Sequence, residues 1–280
     1  MINFYIKYIK YKNKNKYKNL KKSNYEKMKE LFVKRIGKID NSFMITKKLL
    51  EIFNPNQVLQ QINNKLIKLD KSYNNNLSLK KIKNCKKPKQ IIIRGKIQEH
   101  EQNLLLTQNN ILGSNDYFYL DTNIDMNKNK INIPIEETSN EYLGYYNVYI
   151  LEQNQVFNLN NNKELGFFEM SIGSEYVNGF LLEEGLGDGF YLESHDLPHY
   201  YFSSDLNSKG YLILGENIDN GFALTAFEIG SNKPIYISPF VYHSDAYLVG
   251  EYNVIYGKTN NYKTYLFRTN DKKIIDIYCE

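Results

Sequence analysis

The stretch Tyr191–Asp205, YLESHDLPHYYFSSD, holds two of the four histidines in the chain, His195 and His199. His243 follows in SPFVYH. Imidazole nitrogens and carboxylates are the ligands that iron, manganese, zinc and nickel accept from proteins, so the chemistry these residues suggest is that of a divalent transition metal. Residues two apart on a strand point the same way, with Cα atoms about 6.6 Å apart. That pairs Glu193 with His195, His199 with Tyr201 and His243 with Asp245 on common faces. His195 and His199 are four apart, about 13 Å along a straight strand and too far to share an ion. Pro198 disfavours the helix that would bring them together, whereas a turn at Asp196-Leu197-Pro198 would fold His195 back toward His199. Such a turn keeps His195, His199 and His243 open as a three-histidine metal set. Asp205, which precedes LNSKG, fits the start of a turn. Glu193 is a candidate acid–base group and Tyr201 a proton relay. Tyr242 and Asp245 are candidates for substrate contact, and Asp245 is also placed to orient the His243 imidazole. The fourth histidine, His100 in IQEHEQN, reads as a solvated surface residue.

The elements around these residues change character along the chain. Residues 1–25 read as a basic tail without stable order. Between 26 and 70, Met28, Leu31, Phe32 and Ile36, then Phe43, Ile45, Leu49, Leu50 and Phe53, then Val58, Leu59, Ile62, Leu66 and Ile67 recur near helical spacing, which predicts two or three amphipathic helices. The polar, basic run up to Pro88 reads as a linker, closing a segment at 26–90. From residue 91 to 280 the period becomes two. IIIRGKI, DYFYLDT, INIPIEE, YYNVYILE, GFFEMSI, VNGFLLEE, GFYLESH, PHYYFSS, GYLILGE, GFALTAFEIG, PIYISPF, DAYLVGEYNVIYG, KTYLFRT and KIIDIYC succeed one another between Gly, Asn and Asp turns. So dense a series of short strands predicts a mainly β domain, a sandwich or barrel.

The motifs at residues 185–270 resemble those of the cupin superfamily, whose members are small jelly-roll barrels. The first cupin motif has two His separated by one residue, then an acid, then a Gly; here it reads His199-Tyr200-Tyr201, then Asp205 and Gly210. The second has Pro, a short turn and His; here it reads Pro239-Phe240-Val241-Tyr242-His243. Tyr201 occupies the place of the second His, with His195 as its possible substitute, and Asp205 stands where the motif has its acid; the resemblance thus implies a metal held by His199 and His243 with either Asp205 or His195. The resemblance implies a cupin-like jelly-roll barrel and a divalent-metal enzyme of dioxygenase, isomerase or lyase type acting on a small molecule, with dimerisation through sheets. A Tyr-lined barrel that binds a sugar or similar ligand without chemistry is the alternative.

Charge divides the chain in two. Residues 1–100 carry 26 of the 36 Lys and Arg and 6 of the 31 Asp and Glu; residues 101–280 carry the remaining 10 basic and 25 acidic residues. The Tyr-and-Lys tail FYIKYIKYKNKNKYKNLKK has a composition suited to phosphate contact and base stacking, so nucleic-acid association is the third functional class. Cys85 and Cys279 form no motif, which fits a reducing, cytoplasmic setting. The acid-poor N-terminus also has a partial likeness to an organelle-import segment. No run of about 18 apolar residues predicts a membrane span.

Overall fold

The computed structural model describes residues 45–62, 65–69, 84–99, 116–121, 129–159, 161–184, 187–203, 205–257, 259 and 261–280. In chain order its strands are β1 (Ile45–Phe53), β2 (Val58–Ile62), β3 (Lys65–Lys68), β4 (Ile91–Glu99), β5 (Asp116–Leu120), β6 (Lys130–Ile133), β7 (Ile135–Glu136), β8 (Val148–Ile150) and β9 (Val156–Asn158). They continue with β10 (Leu165–Ile172), β11 (Tyr191–His195), β12 (His199–Phe202), β13 (Lys209–Ile218), β14 (Gly221–Glu228), β15 (Ile235–Ile237), β16 (Tyr242–Tyr256), β17 (Tyr262–Arg268) and β18 (Asp276–Cys279). The chain is mainly β, as its period-two patterning predicts.

Seven strands form a hydrogen-bonded ring in the order β11-β17-β5-β4-β14-β13-β16. The ring closes where β11 returns to β16 through the register pair Glu193↔His243. Alternate residues of every ring strand turn inward: Leu192, Phe267, Phe118, Ile93, Leu224 and Ile213 share one core cluster, with Tyr242 of β16 packed against it. The parallel pair β6–β18 adds Ile131, Ile133 and Ile277 to the same cluster. Aromatic packing fills this interior; Phe118, Phe222 and Phe267 touch one another.

β16 does not stop at the ring. It pairs with β13 through Val249 and, from Gly250 onward, with β10 and then β12, so it carries the sheet into a second wing ordered β1-β10-β16-β12-β15-β8. A second cluster lies between that wing and the outer wall of the ring. Phe168, Tyr201 and Val254 come from the wing, and Tyr191, Leu214 and Leu266 from the ring. The far side of the wing is covered by the small sheet β3-β2-β9 through Leu59 and Phe157.

Gly250, where β16 changes partners, has φ of +119°, and a Cβ there would lie 2.6 Å from the Ser208 Cα. An L side chain meets both a forbidden backbone region and a backbone collision. Gly250→Ala is therefore expected to lower unfolding stability in urea by about 2–3 kcal/mol. Gly230→Ala, whose added methyl meets nothing within 4 Å, should stay within about 0.5 kcal/mol of the parent.

The prediction of helices does not hold over 45–68, which form β1, β2 and β3. The reason lies in the spacing. Leu49 and Phe53, or Val58 and Ile62, are four apart, and four is both one helical turn and two strand periods. A bulge between Leu49 and Glu51 then sends Leu49 to the layer shared with the ring and Phe53 to the outer cluster. VNGFLLEE, read above as a strand, instead contains a π-helical turn at Val177–Leu181 that buries Phe180 and Leu181. The tail at 1–25, the helical pattern before residue 45, most of the linker and His100 lie outside the described residues. Among the described residues, no helix is long and apolar enough to cross a membrane.

Candidate metal centre

Three strand ends meet at the seam of the ring. β11 ends at His195, β12 begins at His199 and β16 begins at Tyr242. Between the first two, Asp196-Leu197-Pro198 takes the chain from the ring to the second wing. Leu197 is buried beneath this turn, and the Asp196 carboxylate accepts a hydrogen bond from Lys163 Nζ at 3.2 Å. Burial alone would raise the Asp196 carboxyl, but Thr259 and Lys163 outweigh it and hold the group below the usual carboxylate range. The turn brings the His195 and His199 rings to a centroid distance of 4.3 Å. Their four-residue separation, incompatible with one straight strand, is resolved by a change of sheet.

His243 arrives from a second turn. Ser238-Pro239-Phe240-Val241 has Pro at its second position, φ of +65° at Phe240 and a Val241 N–H to Ser238 carbonyl bond of 3.4 Å, the pattern of a type II turn with Phe where Gly is usual. Phe240 is 62% exposed, and its N–H donates to the His195 carbonyl at 2.7 Å. The next carbonyl, that of Val241, accepts from His243 Nδ1 at 2.9 Å. One four-residue turn thus braces two of the histidines.

Glu193, His195, His199 and His243 each present one ligand atom, and these atoms lie within 4.8 Å of one another. The four residues are only 7%, 6%, 4% and 1% exposed, respectively. His243 Nε2 is 3.4 Å from Glu193 Oε1. Two donor atoms bonded to one metal at about 2.0–2.2 Å are separated by roughly 3.3 Å in a tetrahedral shell, so this edge already has the required length. Three imidazoles and one carboxylate form a nitrogen-rich set suited to zinc, iron, manganese or nickel. Burial works to lower the His243 pKa, but the hydrogen bond and charge of Glu193, with help from Val241 and Asp245, leave it raised. The carboxylate thus supplies the negative charge that a cation here needs.

A carboxylate–phenol chain flanks this set. The Asp245 carboxylate accepts from Tyr201 OH at 2.6 Å and from Tyr191 OH at 2.8 Å. The Tyr201 oxygen lies 3.0 Å from His199 Nδ1. Burial, and then Asp245 and Glu193, push the Tyr191 phenol well above its ordinary pKa, so it stays protonated and donates. Asp245 lies two residues after His243 and shares its face. Just beyond, β16 bulges, advancing from Ser244 to Tyr247 while β13 advances from Tyr211 to Ile213, and the extra residue turns Ala246 to the same layer between ring and wing.

The structure therefore gathers His195, His199, His243 and Glu193, with Tyr201 and Asp245 beside them. It does not bring Asp205 to the group. The Asp205 Oδ1 accepts from the Asn207 N–H at 3.0 Å and from Asn207 Nδ2 at 3.1 Å, and its carbonyl accepts from the Ser208 N–H, so it organises the turn before β13. Tyr242 also points elsewhere, into the ring, where it packs on Phe222 and Tyr265. Glu193, expected as an acid–base group, stands among the ligand atoms; its place two residues before His195 was the signal for that. The paired role of Tyr191 with Asp245 had no signal in the sequence, because it depends on the register of β11 against β16.

No protein-family model matches the chain, and no curated protein and no solved structure matches it.

Proposed function

We propose that the chain is a metal-dependent enzyme of the cupin type acting on a small molecule, with a divalent transition metal held by Glu193, His195, His199 and His243. The observation that carries this reading is the convergence of three imidazoles and a carboxylate, all buried, within 4.8 Å. Burying ionisable groups without a compensating charge is costly, and a dication satisfies all four at once. Two further features favour the cupin comparison. The ring wall and the wing face each other across a shared core layer, as the two sheets of a jelly roll do, and the ligand set lies in that layer. His199 and His243 hold the positions of the first and last cupin histidines, while His195 reaches the site through the Pro198 turn in place of the residue at Tyr201. A bound metal of this kind polarises a substrate oxygen or lowers the pKa of a bound water. The protein's own contribution is a buried ligand set braced by the turn at Ser238–Val241.

Elemental analysis of protein purified without a metal-affinity step tests this. Close to one zinc, iron, manganese or nickel per chain is the expected result. Protein that remains metal-free after growth in medium supplemented with all four overturns the reading, in favour of a binding barrel without metal chemistry.

A further inference from the structure

The close approach of two imidazoles shows which nitrogen His199 offers. His199 Nδ1 lies 3.2 Å from His243 Nε2, so Nδ1 is the edge of this ring that faces the other ligand atoms. His243 gives its own Nδ1–H to the Val241 carbonyl, which leaves Nε2 as the nitrogen turned to His199 and to Glu193 Oε1, 3.4 Å away. A further oxygen stands at the same place. The Tyr201 phenol oxygen is 3.0 Å from His199 Nδ1, and Tyr201 is only 3% exposed. Its one proton goes to the Asp245 carboxylate at 2.6 Å, as the stronger, charge-assisted bond, so a lone pair of the oxygen is what Nδ1 meets. The proton that Nδ1 can carry serves one of its two neighbours well, Tyr201 or His243; an ion among them serves all three donors.

Building on the metal reading above, we propose that the Tyr201 phenol oxygen is a fifth ligand of the same ion, bound beside His199 Nδ1. Neighbouring donors at about 2.0–2.2 Å from an ion in a five-coordinate shell lie roughly 2.8–3.8 Å apart. The separations from Tyr201 O to His199 Nδ1, from there to His243 Nε2 and from there to Glu193 Oε1 are 3.0, 3.2 and 3.4 Å, all within the range of such edges. Tyr201 follows His199 by two residues on β12 and shares its face, so one short strand brings both donors to one ion. Coordination replaces the phenol O–H bond by an oxygen–metal bond. The proton passes to the Asp245 carboxylate, and no group changes oxidation state. Tyr191 donates to the other oxygen of Asp245 at 2.8 Å, which fixes that acceptor in place. Two oxygens with three nitrogens favour iron or manganese over zinc, whose sites are commonly filled by four donors.

Iron(III), supplied to the purified full chain as its nitrilotriacetate complex, tests this, because an iron(III)–phenolate bond has a strong charge-transfer band in the visible that imidazole and carboxylate ligands do not give. The expected result is close to one iron per chain, that visible band, and phenolate ring modes in resonance Raman spectra excited within it. Tyr201→Phe should abolish the band while iron stays bound by the other four ligands. Tyr191→Phe should keep it, as should Tyr256→Phe, whose ring centroid lies 6.0 Å from that of His199. The wild-type spectrum and these two controls decide the assignment even where Tyr201→Phe does not fold. Stoichiometric iron without the band in the wild type, a band that survives in Tyr201→Phe, or a band lost in either control overturns the fifth ligand and leaves the four-residue site standing. Stoichiometric zinc with no uptake of iron(III) does the same. A wild-type chain that takes up no iron, manganese, nickel or zinc overturns both.

Discussion

His243→Ala is expected to weaken zinc affinity by two to three orders of magnitude while the chain remains folded. The magnitude follows from dividing a structural-site binding energy of about 10–16 kcal/mol among four ligands, which gives about 2.5–4 kcal/mol each. His243 is the ligand with the most committed geometry: Nδ1 is tied to the Val241 carbonyl, and Nε2 lies near both Glu193 and His199. No other described imidazole or carboxylate in the group can take its place, because each already contributes its own ligand atom. A fold penalty accompanies the change, since the residue is 1% exposed and truncation leaves a void, at a cost of about 2–3 kcal/mol. Competition titration against a chromophoric chelator separates the two effects, because it measures affinity on protein already shown to be folded. Asp205→Ala is the informative control. The sequence motif makes it a ligand, whereas the structure gives its carboxylate to the turn at Asn207, so wild-type affinity is expected. Undiminished zinc binding in His243→Ala, or a matching loss in Asp205→Ala, would mean that the ligand set is misassigned.

Chelation of the metal is expected to lower the stability of the whole β domain. Glu193 and His243 form the register pair that closes the ring, and His195 and His199 bracket the passage from ring to wing. An ion bonded to all four ties β11, β12 and β16 at one point. Free metal at a thousand times its dissociation constant stabilises the folded state by about 4 kcal/mol. For a chain of this size that corresponds to roughly 10 °C in melting temperature. Hydrogen exchange should localise the effect, with backbone amides at 193–199 and 241–245 losing protection first on chelation and those of the β6–β18 pair least. Identical melting curves and exchange with and without chelator would show that the cluster bears no metal under those conditions.

Much of this was legible in the residues, for identifiable reasons. Strand alternation after residue 91 is a local signal, and it yields the mainly β architecture. The turn at Asp196-Leu197-Pro198 is local too, since proline removes the helical option and the histidine spacing removes the straight strand. What escaped depends on partners. β1–β3 escaped because apolar residues four apart satisfy both periods, and only the strand opposite decides between them. Asp205 fell at the right place in a motif, but DLNS closes its own turn more cheaply than it reaches a distant metal. Asp245 and the Tyr191 hydroxyl meet because β11 returns to β16 in the register Glu193↔His243, a pairing no single strand reveals. The ring itself, closed by one register pair, was likewise out of reach.

That seam also orders events during folding. Glu193 and His243 are fifty positions apart, and the segment between them supplies β12, β13, β14 and β15. Closing so long a loop carries an entropic penalty that must be met before the two strands hold each other, and non-local pairing of this kind is slow. The hairpin of β13 and β14, joined by Asp219-Asn220, can form early; the four ligands cannot assemble until β16 has returned to β11. On the proposed reading, metal capture would be a terminal step that reports a completed topology. A nascent chain should show no high-affinity uptake until residues through β16 have emerged and docked.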